Sequence, residues 1–287
     1  MTSCVDEIQL SSNTEEQKLV FHCELSQGEG VLAQVSESIV VGSLNQFDQI
    51  KDAELVLSDS GQESLGFIFD EESQKYEIKN LVIEEGKTYT INGSLPNSEV
   101  LDIEAQQTVP VGQELIGREL IAVDLENKTY TFRLEFDQTA AIDLYQIIPR
   151  ANVYTFTGSG VNKVYSHSSK SYSFELTENQ IFNGALHDLH HKEGFLVDRN
   201  LLESNSVEIT FKYNDDDLAS NEELRFLNIE VRTTSNSYFR YHKAVSKQLK
   251  SGKGLSFSEP SLSYTNIDNG YGFFGAYGLR IDSLLLN

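Results

Sequence analysis

A chain of 287 residues with 39% hydrophobic side chains can bury one large core or two ordinary ones, which excludes a disordered or disulfide-stapled miniprotein. Its 44 Asp and Glu against 22 Lys and Arg give a formal net charge of −22. Such a surface repels phosphate backbones, which argues against nucleic acid as a partner and against direct electrostatic adhesion to anionic lipid.

The acidity is uneven, with 21 acids against 5 bases over residues 1–112 and 23 against 17 over residues 113–287. No run reaches the ~20 apolar residues of a membrane-spanning helix, and no signal-peptide core is present. Residues 1–17 read as an acidic, polar tether. Within it Met1-Thr2-Ser3-Cys4 places small residues just before a cysteine, as at the tail of a lipoprotein processing site, and Met1 is the sole methionine. Cys4 is therefore the candidate lipidation site, against the plainer reading of an incidental cysteine at a frayed terminus. Cys23 is then left unpaired in an expected strand, which argues against a disulfide scaffold.

Strands are expected at Lys18–Leu25, Val31–Val41, Ala53–Leu57, Leu65–Phe69, Tyr76–Leu81 and Thr88–Asn92, parted by turn-rich links such as Asp59-Ser60-Gly61. Short strands at this spacing predict an immunoglobulin-like antiparallel β-sandwich over residues 18–112, ended by the segment holding Pro110. Residues 113–287 predict a larger β-rich domain, with strands near 119–124, 130–136, 144–148, 153–157, 172–176, 207–213 and 224–233. The fold class expected is mostly β with one amphipathic helix, Asn236–Leu249, whose Tyr238, Tyr241, Val245 and Leu249 recur at helical spacing and should face the core. Arg240, Lys243, Lys247 and Lys250 line a neighbouring stripe, read either as solvated charge complementing the helix dipole or as a docking face for an acidic partner.

His187-Asp188-Leu189-His190-His191 is the one dense cluster of potential metal ligands. His187, His190 and His191 are weak metal candidates, because Gly184 and Gly194 suggest a loop and no HExxH pattern occurs; a solvated polar loop is the expectation, with no required metal or cofactor. Asn214-Asp215-Asp216-Asp217 lacks the spacing of a calcium loop and reads as a turn. No nucleophile signature such as GxSxG is present, so no residue is assigned a catalytic role. A glycosidase-like carboxylate pair needs only a suitable separation across a cleft, which leaves a surface hydrolase as an alternative.

The segment Phe257–Gly278, FSEPSLSYTNIDNGYGFFGAYG, is the most distinctive stretch. Read structurally, its glycines turn the backbone while Phe273, Phe274 and Tyr277 plug the core. Read functionally, Tyr264, Asn266, Asp268, Asn269 and Tyr271 are exposed on a loop that meets a ligand or partner.

This segment, through Phe257, Glu259, Pro260, Tyr264, Asn266, Ile267, Asn269, Gly270, Gly272, Phe274, Gly275 and Tyr277, resembles the C-terminal signature of a Bacteroidota outer-membrane lipoprotein family, the domain of unknown function 4249. Val5-Asp6-Glu7 is similar to the acidic residues that follow the lipidated cysteine in surface-exported members. The resemblance implies a lipoprotein at the cell surface, anchored to the membrane by lipid alone and helping a TonB-dependent receptor capture a nutrient. It carries over no functional residue beyond Cys4. A structural subunit of an outer-membrane assembly machine is a further alternative.

Overall fold

The structure is a computed structural model describing residues 18–38, 49–60, 64–96, 102–124, 126, 129–139, 142–173, 184–189, 191–212, 218–251 and 264–286. Cys4, the tether, His190, the Asn214–Asp217 run and residues 257–263 of the aromatic segment lie outside them.

The described chain is mostly β. Its first part forms β1 (Leu19–Ser26), β2 (Gly28–Glu37), β3 (Glu54–Asp59), β4 (Ser64–Gly66), β5 (Ile68–Asp70), β6 (Lys75–Ile83), β7 (Thr88–Ser94) and β8 (Ile103–Thr108). There follow β9 (Gly117–Asp124), β10 (Thr129–Glu135), β11 (Leu144–Thr157), β12 (Val164–Ser173), β13 (Leu186–Asp188), β14 (Phe195–Asp198), β15 (Ser206–Lys212) and β16 (Glu222–Thr234). The helix α1 (Asn236–Ser251) and the strand β17 (Tyr271–Leu285) close the chain.

One ten-stranded sheet runs β13-β14-β11-β16-β17-β1-β2-β6-β5 with β12 beside β11, and smaller sheets run β4-β3-β7-β8 and β15-β10-β9. The expected strand at Leu65–Phe69 is split at Phe67, where the chain leaves one sheet as β4 and enters the other as β5. The two strands expected at 144–148 and 153–157 are one, β11, running through Pro149. That proline pairs with Ile229 on one side and on the other sits between the stretch bonded to β14 and the stretch bonded to β12, the place where a missing N–H is tolerated.

Alternation along β1 sends Leu19, Phe21, Cys23 and Leu25 into a first core shared with Leu55, Leu57, Tyr89 and Ile91. A second core gathers Phe132, Leu134, Tyr145, Ile147, Ile209 and Ile229. Core membership changes between Val109 and Leu115, close to the expected division at residue 112, but the large sheet is continuous across it. The junction is β17. It lies antiparallel to β16 and parallel to β1, giving Phe274 and Ala276 to the first core while Leu284 packs on the second. These side chains occupy even positions of one strand, so both cores lie on the same face of the large sheet and α1 covers the other.

The aromatic segment is therefore a central strand from Tyr271 onward, not a loop. Gly272 holds φ +95°, and a Cβ there would overlap the Phe21 carbonyl oxygen, so the close pairing of β17 with β1 requires glycine at this position. The helix is confirmed in place, but its buried stripe is Tyr238, Phe239, His242 and Ser246; Leu249 is 43% exposed and Val245 only half-buried. The last turn, 247–250, buries none of its side chains, so the apolar residue there gains nothing from helical spacing.

Candidate functional site

On the sheet α1 covers an apolar patch, where Phe239 packs with Leu144, Leu189 and Leu196, and beside it a group of polar side chains. His22 and Glu24 alternate with the core residues of β1 and so stand on the helix side. The helix approaches β17 at Gly275, where a Cβ would press on the Phe273 ring and come within 3.2 Å of the Tyr238 Cα. Tyr241 stacks on Phe273 with ring centroids 3.9 Å apart and planes 10° from parallel, and its hydroxyl meets His22 Nε2 at 3.0 Å.

Deeper under the helix, side chains from five parts of the chain converge. Lys192 donates to Glu24 Oε1. His242 Nε2 lies 3.2 Å from the same oxygen, off the line of a well-aligned hydrogen bond. His242 Nδ1 faces His191 Nε2 at 2.8 Å, and Ser246 Oγ is 3.4 Å from His191 Nδ1. Tyr238 donates to Gln146 Oε1 at 2.6 Å, and Arg232 donates to the same oxygen at 3.3 Å. The facing nitrogens of His191 and His242 accommodate one proton between them, so this arrangement requires at least one ring to be neutral.

Burial pushes the Glu24 carboxyl up, but the nearby His242 Nε2 and Lys192 ammonium together outweigh it and hold the group near 2. Burial holds His242 down to about 4, with Lys192 and His191 acting the same way and Glu24 opposing. A neutral imidazole N–H suffices to stabilise the carboxylate, so the two shifts agree. Burial likewise lowers His22, and it lowers Lys192 against the pull of Glu24.

A pH dependence follows from His242, which is 1% exposed. Its folded value lies below the ordinary 6.5, so between pH 6.5 and about 4 the unfolded chain binds the extra proton and stability falls as the pH falls. At 1.36 kcal/mol per pKa unit the loss is roughly 3 kcal/mol. The Glu24 contribution is lost further down, below the ordinary 4.5 and toward 2. Denaturant midpoints of the wild type should drop from pH 7 to pH 4.5, and His242→Gln should reduce that drop, the remainder coming from His187 and His22, which burial also lowers. A midpoint constant over this range would refute the neutral buried imidazole.

Beside the network, a groove of about 390 Å³ opens along the β1 and β2 face, lined by His22, Glu24, Gln34, Lys75, Phe273 and Tyr277 among others. The aromatic rings form one wall, and the Arg232 guanidinium lies 4.6 Å from the centre of the Tyr277 ring.

The structure separates the residues singled out in the sequence. Asn266 clasps β17, accepting from the Phe274 N–H at 3.0 Å and donating to its carbonyl at 2.8 Å, so it is a structural residue. Asn269 takes the left-handed conformation, φ 60°, and donates to the Asp102 carbonyl at 3.1 Å. Asp268 pairs with Glu104 through its backbone. Tyr264 stacks under Arg240 at 4.7 Å. Tyr271, 38% exposed, begins β17 with the Lys18 ammonium 5.2 Å from its ring centre.

The solvated loop expected at His187–His191 is not what forms. His187 sits in β13 against Phe239 at 6.3 Å, where burial and then Lys243 and Lys247 hold it near 4; Leu189 is buried; His191 joins the network under α1. The apolar residues around these polar ones, Leu186, Leu189, Phe195 and Leu196, draw the segment onto the sheet. Among the described residues no three His, Cys, Asp or Glu side chains converge to hold a metal, and no helix is long and apolar enough to cross a membrane.

Sequence reasoning misses Glu24, Lys192 and His242. Two of them read as ordinary outward polar residues, and the only usable signal was His242 lying four residues after Tyr238 on the buried stripe of the helix.

A family model described as "Domain of unknown function (DUF4249)" matches residues 5–280. No curated protein matches the chain.

Proposed function

The chain belongs to this family of unknown function, and from that premise we propose that it is a surface-exposed outer-membrane lipoprotein, anchored through Cys4, acting as a non-catalytic binding subunit of a TonB-dependent nutrient receptor. One observation carries the binding role: the groove has walls fixed before any ligand arrives. Phe273 is clamped by Tyr241, and Glu24 by Lys192 and His242, so binding costs little reorganisation. The lining offers a carboxylate, an ammonium, an amide and aromatic faces together.

On the same footing we read residues 18–112 as an immunoglobulin-like module and 113–287 as a second domain, supported by the change of core between Val109 and Leu115. The competing hydrolase would draw on Glu24, His191 and His242. Against it, Glu24 is engaged by Lys192 and held ionised, unsuited to a general acid, and Ser246 beside His191 is buried under the helix.

The test is recovery of a partner from native outer membranes. The full-length precursor should co-purify with a β-barrel receptor, and Cys4→Ala should release the protein from the membrane when the receptor is absent. Tyr271 shares a face of β17 with Phe273 and Tyr277 and is exposed, so Tyr271→Ala should leave folding nearly unchanged and weaken receptor association by ~1 kcal/mol or more. Repeated recovery of the lipoprotein with no barrel partner would remove the main content of this reading.

A further inference from the structure

One flank of α1, beside its buried stripe, is cationic. Arg240, Lys243, Lys247 and Lys250 follow one another at helical spacing, which places them in one stripe about 15 Å long. Arg240, Lys247 and Lys250 are exposed and Lys243 is half-buried. Among the described residues none of the four reaches a carboxylate. Arg240 rests over Tyr264, and the Lys243 ammonium lies 5.6 Å from the centre of the Phe239 ring.

This is out of keeping with the rest of the surface. The chain has twice as many acids as bases, and most described cations elsewhere lie against a carboxylate: Lys87 is 2.6 Å from Glu84, Arg133 2.6 Å from Glu208 and Arg280 2.8 Å from Glu85. The like charges on α1 act on one another. Burial lowers the Lys243 pKa and Lys247 lowers it further, with Asp198 opposing. Helix-dipole complementarity accounts for a cation in the last turn, where Lys250 lies, but not for Arg240 in the first part of the helix.

We propose that this cationic flank of α1 is a docking surface for an acidic segment of a partner protein. Range decides between this and an anionic membrane. A broad anionic surface brings much of the −22 charge of the molecule to bear against approach, whereas a short acidic segment meets the stripe within one screening length of ~8–10 Å and little else. A stripe of about 15 Å matches roughly five residues of extended chain at 3.3 Å each. The inference does not rest on the receptor reading, since any partner presenting such a segment would serve.

The probe is a labelled octaglutamate peptide, with octaglutamine and phosphatidylglycerol-containing vesicles as comparisons, against the full chain at low and physiological salt. The wild type should bind octaglutamate, with affinity falling as salt rises. The double reversal Lys243→Glu/Lys247→Glu should weaken binding by about tenfold or more, and Lys51→Glu/Lys79→Glu, an equal change in net charge at two exposed lysines outside the groove, by about twofold at most. Should the reversal lower the melting temperature, the exposed pair Lys247→Gln/Lys250→Gln replaces it, with about threefold expected. Binding indifferent to these substitutions, no binding at low salt, or retention on vesicles in preference to the peptide would each overturn the proposal, whatever the fate of the receptor reading.

Discussion

Phe274→Ala is expected to lower the free energy of unfolding by about 3–5 kcal/mol. The ring is fully buried, packs edge-on to Phe21 with centroids 6.3 Å apart, and stands in the first core although its strand continues into the second. Deleting it removes the transfer energy of a large side chain and leaves a void between β1 and β17 that the clasp of Asn266 keeps from closing. Cys23 gives a local readout, because it pairs with Phe274 across the two strands, is buried, and has its thiol pKa pushed up by that burial. In a Cys4→Ala background, Cys23 of the wild type should resist a thiol reagent and that of Phe274→Ala should react readily under native conditions. A loss under 1 kcal/mol with an unreactive Cys23 would mean that β17 does not hold the first core closed.

Glu24→Ala should cost about 3 kcal/mol, since it strands Lys192 beside the Tyr238 ring and removes the carboxylate that lies 3.2 Å from His242 Nε2. Side chains of Glu24 and Lys192 keep 30% and 26% of their exposure, so water softens the loss below that of a fully dry pair. The sign of the coupling is the sharper test. Removing both charges as Glu24→Gln/Lys192→Met should be milder than Glu24→Ala alone, because the cost lies mainly in the unpaired charge. If the double variant is as unstable as the sum of its parts, the network is not coupled in this way.

Much of the β architecture was readable along the chain. Leu19, Phe21, Cys23 and Leu25 alternate with polar residues, as a strand with one buried face must, and the apolar spacing from Tyr238 onward marks the helix. The aromatic segment was legible as something to be buried, but not as a strand joining two cores, because periodicity reports which side of a strand is apolar and not which neighbour it meets. Its parallel pairing with β1 joins positions about 250 residues apart and leaves no local mark.

The candidate site was legible least of all. Glu24 and Lys192 are 168 positions apart and His191 and His242 are 51 apart, and each of these residue types belongs by default to a solvated surface. Composition, strand alternation and helix spacing are local properties, so the sequence by itself determined the fold class, the helix and the stripe of cations along it. Only the tertiary structure decided that β17 bridges the cores and that α1 closes over the face of β1 bearing His22 and Glu24, because only there do long-range backbone pairing and the exclusion of water by the helix bring distant polar groups within reach of one another.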